Sequence, residues 1–211
     1  VDSAAGSAKE ARNRSTQAVL ALRGKILNTL KVDLVKAMGN AEIQSMITAF
    51  GLEVKNNKVT LNEDKLRYGK IIIMADADVD GAHIRTLFFT FIWRFCPELI
   101  EKGYVYAAVP PLYRIIKGKT SMYIKDDAAL DAYRKTHVGS QYELRRFKGL
   151  GEQSVEELEE STMSPETRTL KQITMEDIAA ASRMFNNLMG EAVAPRRLFI
   201  EKNAGRANID V

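Results

Sequence analysis

Apolar positions along this chain fall into two rhythms. Ile43, Met46, Ile47 and Phe50 stand at i, i+3, i+4 and i+7, which puts them on one face of a helix over residues 41–50 closed by Gly51. Ile71 to Met74 is instead a continuous apolar run rich in β-branched residues, the pattern of a strand buried on both faces, and Tyr104 to Val109 repeats it. Between the two, a helix is predicted from about Ala82 to Phe95, with Pro97 resetting the chain and Gly103 ending the next turn. Upstream, residues 5–14 read as a short Ala-, Lys- and Arg-rich helix, Ala18 to Leu22 as a short strand ended by Gly24, and the polar residues 53–69 as a surface excursion. Helices alternating with strands predict an α/β fold with a parallel sheet. In such sheets ligands bind beyond the carboxyl ends of the strands, so the first place to look for chemistry is just after Met74.

After Pro110-Pro111 the pattern changes. Tyr113 to Ile116 and Met122 to Ile124 predict short antiparallel strands around the Lys117-Gly118-Lys119 turn, residues 127–135 a helix, and Tyr142 to Phe147 a further strand that runs into Gly149-Leu150-Gly151. Ser164-Pro165 has the form of an N-cap followed by proline at the first helical position. Helices over about 175–189 and 195–203 end the chain. These readings divide the molecule near residue 110, into an α/β domain over 1–110 and a smaller α+β tail region over 111–211.

Composition narrows the class. The 211 residues are 45% hydrophobic and 27% charged, a globular balance, and length suffices for a sizeable core. The longest apolar run, Leu87 to Phe95, is interrupted by Thr90 and Arg94 and is too short to span a bilayer. No signal-peptide pattern opens the sequence. The single cysteine, Cys96, excludes a disulfide framework and fits a reducing cytoplasm. A net charge of +4 hints only weakly at an anionic partner, although Lys9, Arg12, Arg14, Arg23 and Lys25 crowd the first 25 residues.

The chemistry concentrates in Asp76-Ala77-Asp78-Val79-Asp80-Gly81, directly beyond the buried strand. Carboxylates this close repel and favour a cation, and a hard divalent ion such as Mg²⁺ binds one or two carboxylates plus waters and phosphates. A calcium EF-hand begins with the same D-x-D-x-D-G, but its position-twelve glutamate is Leu87 here and a strand, not a helix, precedes the loop. A haloacid-dehalogenase-type phosphatase also places D-x-D after a strand; Asp126-Asp127 offers a second acidic pair, but no lysine completes the set. A Toprim domain, with D-x-D after one strand and a glutamate after an earlier one, is a third class, and a metal-free acidic turn a fourth.

Longer motifs separate these classes. Asp2-Ser-Ala-Ala-Gly-Ser-Ala-Lys9, Leu22-Arg-Gly-Lys-Ile-Leu-Asn28, Asp76-Ala-Asp-Val-Asp-Gly-Ala-His-Ile-Arg85, Pro110-Pro-Leu-Tyr113, Lys148-Gly-Leu-Gly-Glu152 and Pro195-Arg-Arg197 occur in one order. This series resembles the Toprim domain and C-terminal tail of the B subunits of bacterial type IIA DNA topoisomerases, the gyrase and topoisomerase IV kind, over nearly the whole chain.

The resemblance implies an enzyme that cuts both strands of one duplex, passes another through and reseals. Its attacking tyrosine lies on an A subunit, in an A2B2 assembly, so none of the seven tyrosines here is expected to be the nucleophile. Asp76, Asp78 and Asp80 are implied to hold catalytic Mg²⁺, which Mn²⁺ or Ca²⁺ can replace for binding, with His83 beside them. Arg23, Lys25, Arg85 and Lys148 are implied to face duplex DNA. Asp2, Arg23 and Glu42 match positions that line the pocket for quinolone-type drugs. For His83 a capping or packing role stays open, and Gly149 and Gly151 bring backbone close either to DNA or to the Toprim core, or simply form a tight turn. The family's glutamate falls two positions ahead of Asp2, outside this sequence, so the chain as it stands is expected to bind metal weakly and not to cleave DNA. ATP binding belongs to domains upstream, and Thr136 to Ser140 is too short for the long insertion of some gyrase B subunits. Two rivals remain: another Toprim nuclease or primase, and a non-catalytic assembly module with a structural metal.

Overall fold

The computed structural model describes residues 2–24, 26–76, 78–177 and 192–204, with positions 180, 184 and 187 between them. The chain gathers as two units, Val1–Gln172 and Ile173–Val211.

In the first unit, helix α1 spans Asp2–Ala11 and α2 Leu34–Met38, and α3 covers Ala41–Phe50, the span its periodicity predicts. Asn40 caps α3 by accepting from the amides of Glu42 and Ile43, and Gly51 closes it in the left-handed conformation at φ 69°. Ile43, Met46 and Ile47 form its buried face. The predicted strand over Ala18 to Leu22 does not form; this stretch is irregular among the described residues. Leu20 is 43% exposed, so the apolar run is not enclosed on both sides as a central strand would be. The polar excursion after α3 is a β-hairpin, β1 (Leu52–Lys55) against β2 (Lys58–Leu61). Its two-residue turn holds Asn56 and Asn57 at φ 50° and 58°, the paired positive φ of a type I′ turn, which asparagine tolerates better than most residues.

Strand β3 (Ile71–Ile73) leads through the acidic loop into α4 (Val79–Phe95), followed by α5 (Glu98–Glu101) and β4 (Val105–Ala108). β3 and β4 are parallel, with Ile71 opposite Val105 and Ile73 opposite Ala107. Leu87, Phe88, Phe91 and Ile92 of α4 are buried, as are Ile71, Ile73, Val105 and Leu99. Each large apolar side chain removed from water here contributes about 1.5–3 kcal/mol before entropy is counted.

The second sheet is antiparallel, in the order β6–β5–β7, from β5 (Tyr113–Lys117), β6 (Thr120–Ile124) and β7 (Glu143–Arg146), with α6 (Asp127–Thr136) beside it. Tyr113, Ile115, Ile124 and Leu130 make its core. The chain then forms α7 (Val155–Leu158) and a π-helical turn over Glu159–Met163, before β8 (Leu170–Gln172) returns to pair antiparallel with β4. The first sheet is therefore β3–β4–β8, parallel on one side and antiparallel on the other. Ser164-Pro165 opens a turn, not a helix. The functioning cap is Ser154, in a reciprocal box with Glu157.

In the second unit a helix spans Val193–Asn203. Of the helix expected over 175–189, residues 175–177 are helical and most of the remainder lies outside the described residues.

Candidate metal site at the end of the first sheet

β3 delivers Asp76 and Asp78 to the carboxyl edge of the parallel pair, and each carboxylate is fixed through one oxygen. Asp78 caps α4, its Oδ1 accepting from Gly81 N at 2.7 Å. Asp76 Oδ1 accepts from Leu150 N at 2.8 Å, a bond between positions 74 apart in the chain. The Oδ2 atoms of both acids have no hydrogen-bond partner among the described residues. Asp76 is half-buried and Asp78 and Asp80 are exposed, while Ala77 lies outside the described residues.

Two further features shape the loop. A Cβ on Gly81 would sit 2.1 Å from the carbonyl oxygen of Asp76, so only glycine lets the helix start this close to the strand end. Arg85, one turn on, donates from Nη1 to the carbonyls of Ala75 (3.2 Å) and Asp76 (2.9 Å). Its guanidinium braces the loop from behind and neutralises part of its negative charge.

Among the described residues no three His, Cys, Asp or Glu side chains gather as one ligand cluster. Asp78 is held in place by its capping bond to the helix. What remains is two fixed carboxylates with open oxygens at a strand end, beside exposed Asp80. That donor set fits Mg²⁺, which keeps several waters and uses one or two carboxylates, and is too sparse for Ca²⁺ held by protein oxygens alone.

The other candidates are more scattered. Lys148 is exposed next to the Asp76 contact, and its backbone N donates to Glu152 Oε2 at 2.9 Å. His83 is half-buried on the first turns of α4. Arg23 is exposed and Glu42 half-buried in the first turn of α3; among the described residues no hydrogen bond ties either to the loop. Lys25 lies outside the described residues, as does the side chain of Asp2, which begins α1. Sequence reasoning missed the Leu150 amide as a partner of Asp76. The glycines around it signalled a close backbone approach, and the structure directs that approach to Asp76.

The family model described as Toprim domain matches residues 2–109, half of the chain and the whole of the acidic loop with its flanking strands. The chain belongs to the Toprim family. Beyond the Toprim domain, the model for the gyrase B hook matches residues 111–136, and that for the carboxyl terminus of the DNA gyrase B subunit matches 139–201. The DNA gyrase B subunit of Thermus thermophilus is 51% identical over 211 residues, all of this chain and 33% of that protein. Its namesake in Mycoplasmoides gallisepticum is 52% identical over 210 residues, 99% of this chain and 32% of its own length, and that of Thermotoga maritima 49% over 203 residues, 96% and 31%. The chain spans about a third of the length of the curated relatives it matches. The three models follow one another along the chain in the order Toprim, hook and carboxyl terminus. No helix among the described residues is long and apolar enough to cross a membrane.

Proposed function

We propose that this chain is the cleavage-site part of a type IIA topoisomerase B subunit of the gyrase kind, and that it holds Mg²⁺ at the phosphates which an A-subunit tyrosine attacks. The observation that carries the proposal is the Asp76–Asp78 pair at the end of β3, each acid anchored through Oδ1 and open at Oδ2. When bound there, Mg²⁺ supplies charge stabilisation to phosphate and leaving oxygen without proton bookkeeping. The protein residues supply placement: Gly81 and Leu150 fix the two acids, Arg85 fixes the loop, and exposed Asp80 favours a second cation position. Arg23, Lys25 and Lys148 contact the DNA backbone, where they position the duplex without reading its sequence. Asp2, Arg23 and Glu42 line the site of quinolone-type drugs beside the cleaved DNA.

The working assembly in this reading is an A2B2 tetramer in the cytoplasm, with ATP bound by segments of the B subunit other than this one. Gyrase is favoured over topoisomerase IV because the relatives compared above carry that name.

The test is double-strand cleavage by a reconstituted A and B pair. Asp76→Ala is expected to reduce cleavage at least about 100-fold, on the scale of losing a group that stabilises the transition state. Survival of cleavage in Asp76→Ala and in Asp78→Asn would instead make this a non-catalytic assembly module, and cleavage without any A subunit would make it an independent nuclease. Negative supercoiling by the full pair separates gyrase from topoisomerase IV.

A further inference from the structure

We infer that the turn Phe147–Gln153, held by the second sheet, is a positioning device for the Asp76 carboxylate, and that Gly149 is the residue whose lack of a side chain makes it work. The inference deepens the proposed function, resting on Asp76 as a cation ligand.

The contact itself has two parts. Leu150 N donates to Asp76 Oδ1 at 2.8 Å, which fixes that oxygen and leaves Oδ2 for a cation. One residue earlier, a Cβ on Gly149 would lie 3.0 Å from both Cγ and Oδ1 of Asp76 and 3.1 Å from Oδ2. The backbone of Gly149 is extended, at φ −163° and ψ 169°, a conformation open to any residue. The constraint on a side chain here is therefore set by the carboxylate it faces, which an added Cβ would push by a few tenths of an ångström, and not by the path of the chain.

The turn is in turn anchored from several sides. Leu150 is buried in a cluster with Ala8, Ala11, Leu158 and Met163. Phe147 N donates to Leu112 O at 2.9 Å. Arg145, at the end of β7, donates from Nη2 to Glu152 O at 3.0 Å and from Nη1 to Glu157 Oε1 at 2.9 Å. Glu157 is 5% exposed and also accepts from Arg114 of β5 at 2.7 Å. These contacts join the second sheet to the Asp76 oxygen through one turn. Outer hydrogen-bond partners of this sort tune metal ligands, and their loss costs roughly 10- to 100-fold in affinity.

The experiment is a Mg²⁺ titration of the 211-residue chain followed in ¹H–¹⁵N spectra, with the melting temperature of the metal-free chain measured in parallel. Gly149→Ala is expected to weaken Mg²⁺ about tenfold or more, to shift the Leu150 amide resonance before any metal is added, and to leave the metal-free melting temperature within about 2 °C of the parent. Gly69→Ala, whose added Cβ meets nothing within 4 Å, is expected to change none of these readings. Arg145→Ala is expected to weaken Mg²⁺ while Glu157 keeps Arg114. If Asp76→Ala weakens Mg²⁺ but Gly149→Ala does not, the positioning role is overturned and the metal site stands. If Asp76→Ala has no effect on Mg²⁺ binding, the metal site itself is overturned, and the positioning role with it.

Discussion

At the scale of single residues, Asp78 carries two tasks that a careless substitution would confuse. It caps α4 through Gly81 N, and it offers Oδ2 to a cation. Alanine removes both, at a cost of about 1 kcal/mol for the cap alone. Asparagine caps about as well as aspartate but brings no charge. Asp78→Asn is therefore expected to keep the melting temperature of the metal-free chain and to lose Mg²⁺ affinity, whereas Asp78→Ala lowers both; equal Mg²⁺ affinity for Asp78→Asn and the parent would remove Asp78 from the ligand set. Cys96 shows the opposite case, a residue with no chemical task. It is 2% exposed, and burial pushes its thiol up to about 11. Its reaction with an aromatic disulfide at pH 8 is expected to be slow in the folded chain and fast in urea; rapid labelling without denaturant would contradict that burial. The acidic loop was legible in the sequence because its acids are neighbours. Its partner amide at Leu150 was not, since nothing local links positions 74 residues apart.

At the scale of elements, legibility followed how far local signals agreed. Helix α3 had periodicity and a closing glycine, and both appear where expected, with an Asn40 cap besides. The run Ala18 to Leu22 had apolarity alone and formed no strand. The hairpin after α3 was readable in principle from Asn56-Asn57, but its polar composition masked it. That hairpin has an electrostatic clasp: Glu53 is bonded by Lys55, by Lys65 at 2.6 Å and by Asn62 Nδ2 at 3.1 Å. Those hydrogen bonds, Lys55 first, hold its carboxyl down at about 2. A carboxyl depressed in the folded state stabilises it above the unfolded value of roughly 4, and that contribution fades as pH falls from there toward 2. Amide exchange at Glu53 and Thr60, the hydrogen-bonded pair next to the clasp, taken relative to the intrinsic rate at each pH, is therefore expected to speed up between about pH 4 and 2 more than elsewhere in the unit, and Glu53→Gln is expected to flatten that pH dependence. Exchange that stays unchanged over this range would show the clasp to be idle.

At the scale of the whole first unit, the first sheet takes strands from both sides of the division expected near residue 110, because β8 crosses back to pair with β4. A one-pass reading of local pattern cannot place such a return, since three residues, Leu170–Gln172, carry too little periodicity to declare a partner. A charge ties the second sheet to α7: Glu157 sits at 5% exposure with Arg114 and Arg145 on one oxygen and the Ser154 amide on the other. The two arginines are unequal partners. The Arg114 side chain is 24% exposed and lies over the Tyr123 ring, whereas that of Arg145 is 46% exposed and more strongly screened by water. Removing the acid strands a largely buried guanidinium, so Glu157→Ala is expected to cost about 3–5 kcal/mol in urea unfolding. Arg145→Ala should cost no more than about 1 kcal/mol, the range of exposed pairs. An apolar exchange of similar volume at both ends, Glu157→Leu with Arg114→Met, should recover most of the loss, because it removes the buried charges together. If that double variant is as unstable as Glu157→Ala, the deficit comes from the lost carboxylate bond to the Ser154 amide and not from the stranded charge.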